Sequence, residues 1–155
     1  MSFKEQVECL LNEILKENPK LYLIDFKISM DNKIKIVLDG DYSVSLKDCI
    51  KVSRAIENNL NRDEIDFSLE VTSVGAAEPL IMKRQYHKNV GRKLSVRDFS
   101  GKKYEGILNS VDENEIHIQW KVRQNKKIGK GKETVFKNKT LSFSEITQSN
   151  VILQF

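Results

Sequence analysis

Cysteine, proline and histidine each occur only twice in this chain, tryptophan once and glycine seven times. Each scarcity removes a class of protein. Cys9 and Cys49 form no CxxC pair and have no neighbouring histidine, so neither a disulfide framework nor a zinc site is expected, and both are read as small buried apolar residues. So few glycines and prolines exclude fibrous and low-complexity architectures. Uninterrupted apolar runs reach only about four residues, whereas a membrane-crossing helix needs roughly 18. The start, Met1-Ser2-Phe3-Lys4-Glu5, brings charge at once where a secretory signal would carry an apolar core. The expectation is a soluble, cytoplasmic protein with no membrane partner.

What the chain does have is charge. Of its 155 residues 31% are charged and 39% hydrophobic, too apolar for disorder and enough for one ordinary domain or two small ones. The net charge of +4 is unevenly placed: residues 1–80 carry −5 and residues 81–155 carry +9. Such asymmetry implies two surfaces with different partners. The residue pattern changes at the same place, which predicts domains over 1–80 and 81–155. The joint between them is Ser73-Val74-Gly75-Ala76-Ala77-Glu78-Pro79-Leu80. There Gly75 is free to take positive φ and Pro79 fixes the chain direction, although turns and linkers are punctuated in the same way.

In the first half, Phe3, Val7, Leu10, Leu11, Ile14 and Leu15 recur at helical spacing before Pro19. Tyr22 to Ser29 and Lys33 to Leu38 read as a hairpin turned at Asp31-Asn32. Ser45 caps a second helix with Asp48 at its third position, and Ile50, Ser53, Ile56 and Leu60 form the expected buried stripe with Cys49 beside it. Ile65, Phe67, Leu69 and Val71 then alternate with polar residues as a strand does. The order α-β-β-α-β predicts an α+β domain with helices on one sheet face.

The second half has a short helical stretch near Met82 to Val90, followed by strand-like alternation. The alternating sets are Leu94 and Val96, the neighbourhood of Ile107, Ile116 to Val122, and Val151, Leu153 and Phe155. Five short strands in so few residues predict a small barrel or sandwich.

Catalysis finds no support. GxSxG, Walker A, HExxH and GxGxxG are all absent, and neither His87 nor His117 has a cysteine or paired carboxylate at motif spacing. His117 falls on the polar side of its strand and reads as a surface histidine. A small hydrolase using Glu78 or His87 is the weakest reading, because no nucleophile or ligand set accompanies either residue. No enzyme, cofactor or metal is expected.

The strongest charge feature is the run from Lys121 to Lys132. Lys121, Arg123, Lys126, Lys127, Lys130 and Lys132 place six cations in twelve residues with no acid among them. Gly129 and Gly131 suggest a flexible loop rather than a packed strand. Such a loop is either merely solvated or a phosphate-binding surface that gains affinity by counterion release. Arg92, Lys93, Arg97, Lys102 and Lys103 add cations nearby and favour RNA recognised by shape. Trp120 borders the run and, by its alternation, reads as core rather than a stacking platform.

Phe67-Ser68-Leu69-Glu70-Val71-Thr72-Ser73-Val74-Gly75, then Pro79-Leu80, Tyr86 and Gly91-Arg92-Lys93-Leu94-Ser95-Val96, resemble the ribosome maturation factor RimP family. That family's signature reads approximately LEVSSPGxxRPL, followed by an aromatic residue and GKxVxV. Thr140 to Ile146 resembles the strand and short turn before its last strand, so the resemblance covers nearly the whole chain. Val74 stands where the family has proline, Ala77 where an acidic residue is common, and Glu78 where arginine is usual. No role of that arginine transfers to a residue of opposite charge. The resemblance implies an N-terminal α+β domain and a five-stranded SH3-like or Sm-like barrel. It further implies a noncatalytic monomer that binds the immature small (30S) ribosomal subunit, contacting rRNA and a small-subunit ribosomal protein near the decoding centre. A general RNA-binding or RNA-chaperone module of Sm-like type is the competing reading.

Overall fold

The computed structural model describes residues 2–153. Phe155, expected in the last strand, lies outside them. The chain divides into two compact units, 1–75 and 76–155.

The first unit runs α1 (Phe3–Glu17), β1 (Leu21–Ile28), β2 (Lys33–Gly40), α2 (Leu46–Glu57) and β3 (Ser68–Ser73), the expected α-β-β-α-β order. Ser2 caps α1, its side chain accepting the Glu5 N–H at 3.2 Å. Asn32, at φ 58°, makes the turn between β1 and β2, a left-handed conformation that asparagine tolerates. β2 pairs antiparallel with β1 and parallel with β3, in the order β1-β2-β3. A parallel neighbour cannot be reached by a tight turn, and the segment containing α2 supplies the crossover.

Ile34, Ile36 and Leu38 project from β2 into a core completed by Val7, Leu11, Val52, Ile56 and Phe67. Arg62 closes this core at one end: its guanidinium lies 4.2 Å from the Phe67 ring centroid and donates to the Phe67 carbonyl at 2.7 Å.

Two expectations fail here. The buried stripe of α2 is Cys49, Val52 and Ile56, while Ile50 is 40% exposed. Both stripes share Ile56, but the one through Val52 stays apolar along the helix, whereas the other runs through Ser53 and reaches Leu60 only after the helix has ended. Cys9 is exposed, because two residues beyond buried Val7 a helix has turned to its opposite side. Cys49 is buried, and that burial pushes its thiol pKa up.

The second unit contains α3 (Lys83–Lys88), β4 (Lys93–Asp98), β5 (Lys103–Val111), β6 (Glu115–Asn125), β7 (Lys132–Ser142), a 3-10 turn at Phe143–Glu145 and β8 (Ile146–Val151). All five strands pair antiparallel in the order β7-β6-β5-β4-β8. The sheet is open rather than a closed barrel. Its edges are β7, which pairs with β6 along all eleven of its residues, and β8, which pairs with β4 through five of its six. The expected continuation of the last strand through Leu153 also fails, because β8 ends at Val151 opposite Leu94, near the start of β4.

Leu94, Val96, Leu108, Ile116, Ile118, Leu141 and Tyr86 form the core of this unit. Leu80 packs against it, and the Leu80 N–H donates to the Ser149 carbonyl at 2.7 Å. Tyr86 meets Phe143 edge-on at 5.1 Å and donates its hydroxyl to buried Ser149 Oγ at 2.6 Å. Burial raises the Tyr86 phenol pKa, and this hydrogen bond partly opposes the rise. No helix among the described residues is long and apolar enough to cross a membrane.

Candidate nucleic-acid interface

Alternation along the strands of the second unit sorts its side chains into two layers. Leu94 and Val96 on β4, Leu108 on β5, and Ile116 and Ile118 on β6 face the core. Their odd-numbered neighbours face outward. Lys93 lies opposite Ile107, Ile107 opposite Gln119, and Gln119 opposite Asn138, while one step along the hairpin Lys121 lies opposite Phe136. Cross-strand partners share a face. The outer face therefore brings together Lys93, Arg97, Lys121 and Arg123 around two exposed apolar side chains, Ile107 and Phe136.

Half of the run from Lys121 to Lys132 is strand, where a flexible loop was expected throughout. Lys121 to Asn125 complete β6, Lys132 opens β7, and only residues 126–131 form the connection. The pairing holds because Val122 sits opposite Val135, a β-branched pair suited to a sheet. Gly129 and Gly131 take φ of 88° and 101°, and the Lys126 N–H donates to the Gly131 carbonyl at 3.1 Å. The glycines thus serve a turn with positive φ. Lys126, Lys127, Lys130 and Lys132 are exposed at this tip, with Ile128 91% exposed among them.

The remaining site residues are placed as follows. Arg92 is exposed just before β4 and donates to Asn89 Oδ1 at 3.1 Å. Among the described residues, none of the nine cations Arg92, Lys93, Arg97, Lys121, Arg123, Lys126, Lys127, Lys130 and Lys132 is paired with a carboxylate. Lys103, by contrast, is bonded to Glu105 at 3.1 Å. Gly75 ends the first compact unit and Pro79 falls within the second. Trp120 packs against the core, as its alternation suggested, 6.2 Å from Tyr104 between ring centroids.

An open groove of about 490 Å³ lies on the outer face, lined among others by Lys93, Gly106, Ile107, Trp120, Lys121 and Phe136. Lys121 Nζ stands 5.5 Å from the centroid of the Phe136 ring. Gly106 belongs to β5 for a steric reason: a Cβ there would lie 2.7 Å from the Gln119 carbonyl oxygen. Phe136 was missed from the sequence because its neighbours are polar and its place opposite Lys121 depends on hairpin register. The odd-numbered parity shared by Lys93, Ile107 and Lys121 was the signal available.

Sequence spacing also missed the carboxylates around His117. Its Nδ1 bonds Thr140 Oγ1 at 2.8 Å, and its Nε2 lies 3.7 Å from both Asp112 and Glu115. The turn accounts for Asp112, whose Oδ1 accepts the N–H groups of Asn114 and Glu115 at 2.9 Å. Those bonds, with His117 adding to them, hold the Asp112 carboxyl below the usual carboxylate range. The three side chains could offer one metal-ligand atom each, but Asp112 is exposed, Glu115 and His117 are only half-buried, and Asp112 and His117 are locally bonded.

The family model for the RimP N-terminal domain matches residues 10–77. A protein of Christiangramia forsetii named ribosome maturation factor RimP is 52% identical over 98% of this chain and 99% of its own length. The chain belongs to the RimP family. A Flavobacterium psychrophilum protein with the same name is 48% identical over the full length of both, and a Cytophaga hutchinsonii one is 30% identical over 97% of this chain and 96% of its own. As a RimP family member, the chain carries the unpaired cations on the unit that follows the matched N-terminal domain.

Proposed function

We propose that this chain is a noncatalytic ribosome maturation factor that binds the immature small ribosomal subunit and assists its assembly in the cytoplasm. The family membership supports ribosome maturation, and the nine unpaired cations of the second unit are the observation that carries the choice of rRNA as a partner. Cations without carboxylate partners are free to replace the counterions around phosphates, and the released ions supply affinity. The second unit is read as SH3-like or Sm-like, since a short helix precedes five antiparallel strands of which the last returns beside the first. The first half, at −5, is suited by charge to a basic ribosomal protein near the decoding centre. Gly75 and Pro79 would set the direction of the chain between the two units. The protein acts as a monomer, and binding ends as mature contacts replace its own.

Sedimentation with purified particles tests this. The chain is expected to pellet with immature small subunits in preference to mature small or large subunits at moderate salt. Equal binding to all particles and to unrelated structured RNA would instead favour a general RNA-binding module.

A further inference from the structure

We infer that the groove between Lys93 and Lys121 receives an unpaired RNA base stacked on Phe136, with the flanking phosphates held by Lys93, Lys121 and Arg123. The inference rests on the reading that rRNA is the partner, and it names the kind of RNA recognised.

Phe136, on edge strand β7, is 57% exposed and Ile107, on central strand β5, 49%, on the sheet face opposite the core. Exposed aromatic rings offer a sequence-tolerant platform for bases, and nearby cations track the backbone of a single strand. Both parts are present here within one groove. Lys121 Nζ lies over the Phe136 ring, 5.5 Å from its centroid, so a base stacking on that face displaces the ammonium toward the flanking phosphate, and Lys93 lines the groove on the strand beyond Ile107. Arg123 continues the row of cations toward the hairpin tip. Gly106, paired with core-facing Leu94, contributes only backbone to the groove lining. A regular duplex keeps its bases stacked internally and could reach this surface only through its phosphates. The charge and the exposed ring together favour unpaired RNA.

Trp120 is the only tryptophan of the chain and forms part of the groove lining from β6 while its ring packs toward the core, so its fluorescence reports occupancy through the strand beneath the groove. The full chain is titrated with an unstructured oligouridine of about twelve nucleotides and with an RNA duplex of equal length, alongside Phe136→Ala and Phe136→Tyr. The wild type should bind the single strand with Trp120 quenching. Phe136→Ala should weaken that binding by about tenfold, Phe136→Tyr should restore it, and duplex binding should be unchanged in all three. Unchanged duplex binding also verifies that the alanine variant is folded. Equal binding of the oligouridine by wild type and Phe136→Ala overturns the inference. So does failure of the wild type to bind it while Phe136→Ala reduces subunit pelleting, because the groove then takes a protein side chain. If the wild type does not pellet with immature subunits yet the oligouridine results hold, the maturation reading falls and the base site stands.

Discussion

Replacing Gly106 by alanine should destabilise the second unit, by an amount that follows from its position. β5 lies between β4 and β6, paired to both, so its backbone has no free side toward which to retreat. The added Cβ would sit 2.7 Å from the Gln119 carbonyl oxygen and 3.0 Å from its carbon. Even a close carbon–oxygen contact is about 3.3 Å, so the strands must separate by roughly half an ångström. Overpacking of this kind costs about 1–3 kcal/mol. Alanine returns about 0.5–1 kcal/mol by restricting the unfolded chain more than glycine does. The net loss lies between about 0 and 2.5 kcal/mol, with a midpoint just above 1, and at that midpoint the melting temperature of a unit this small falls by about 5–10 °C. Thermal unfolding followed by Trp120 fluorescence reads this unit alone, because the only tryptophan lies in it. An unchanged melting temperature would refute the steric account of Gly106.

Tyr86→Phe leaves the buried Ser149 hydroxyl without its partner and should cost about 1–2 kcal/mol in urea unfolding. Because the folded Tyr86 pKa is raised, the wild type has extra stability while the phenol stays neutral, below its unfolded pKa of about 10. That contribution is lost as pH rises through the folded value, so alkaline unfolding curves should be shallower for Tyr86→Phe. In the first unit, Ser45 Oγ accepts the Asp48 N–H at 3.2 Å and the Ser45 N–H donates back to the Asp48 carboxylate at 2.9 Å. Ser45→Ala should cost about 1 kcal/mol in the same assay.

The first unit was largely legible because its signals are local. Val7 and Leu11 repeat at helical spacing, Ser45 and Asp48 mark a helix start, and Ile34, Ile36 and Leu38 alternate across a single strand. Helix rotation was harder to read: Ile50 and Val52 compete for one face, and the choice between them belongs to the tertiary neighbours. The cations of the second unit were visible, but their arrangement was not. Composition made Lys121 to Lys132 look like a loop throughout, whereas the Val122–Val135 pair, separated by twelve intervening residues, draws half of it into the strands of a hairpin. Phe136 joins Lys121 only through that register. The carboxylates around His117 were similarly hidden, because the turn at residues 112–115 folds them back onto its strand.

The central claim is that the unpaired cations of the second unit hold the phosphates of an immature small subunit. Changing Lys126, Lys127, Lys130 and Lys132 together to glutamine tests it most directly, since all four are exposed at the hairpin tip and their loss should leave the melting temperature nearly unchanged. Binding to immature small subunits is measured for both proteins across a series of salt concentrations. The account predicts weaker binding and a shallower dependence of log affinity on log salt, by up to about one unit for each lysine that contacts a phosphate. Equal affinity with an identical salt slope would contradict it.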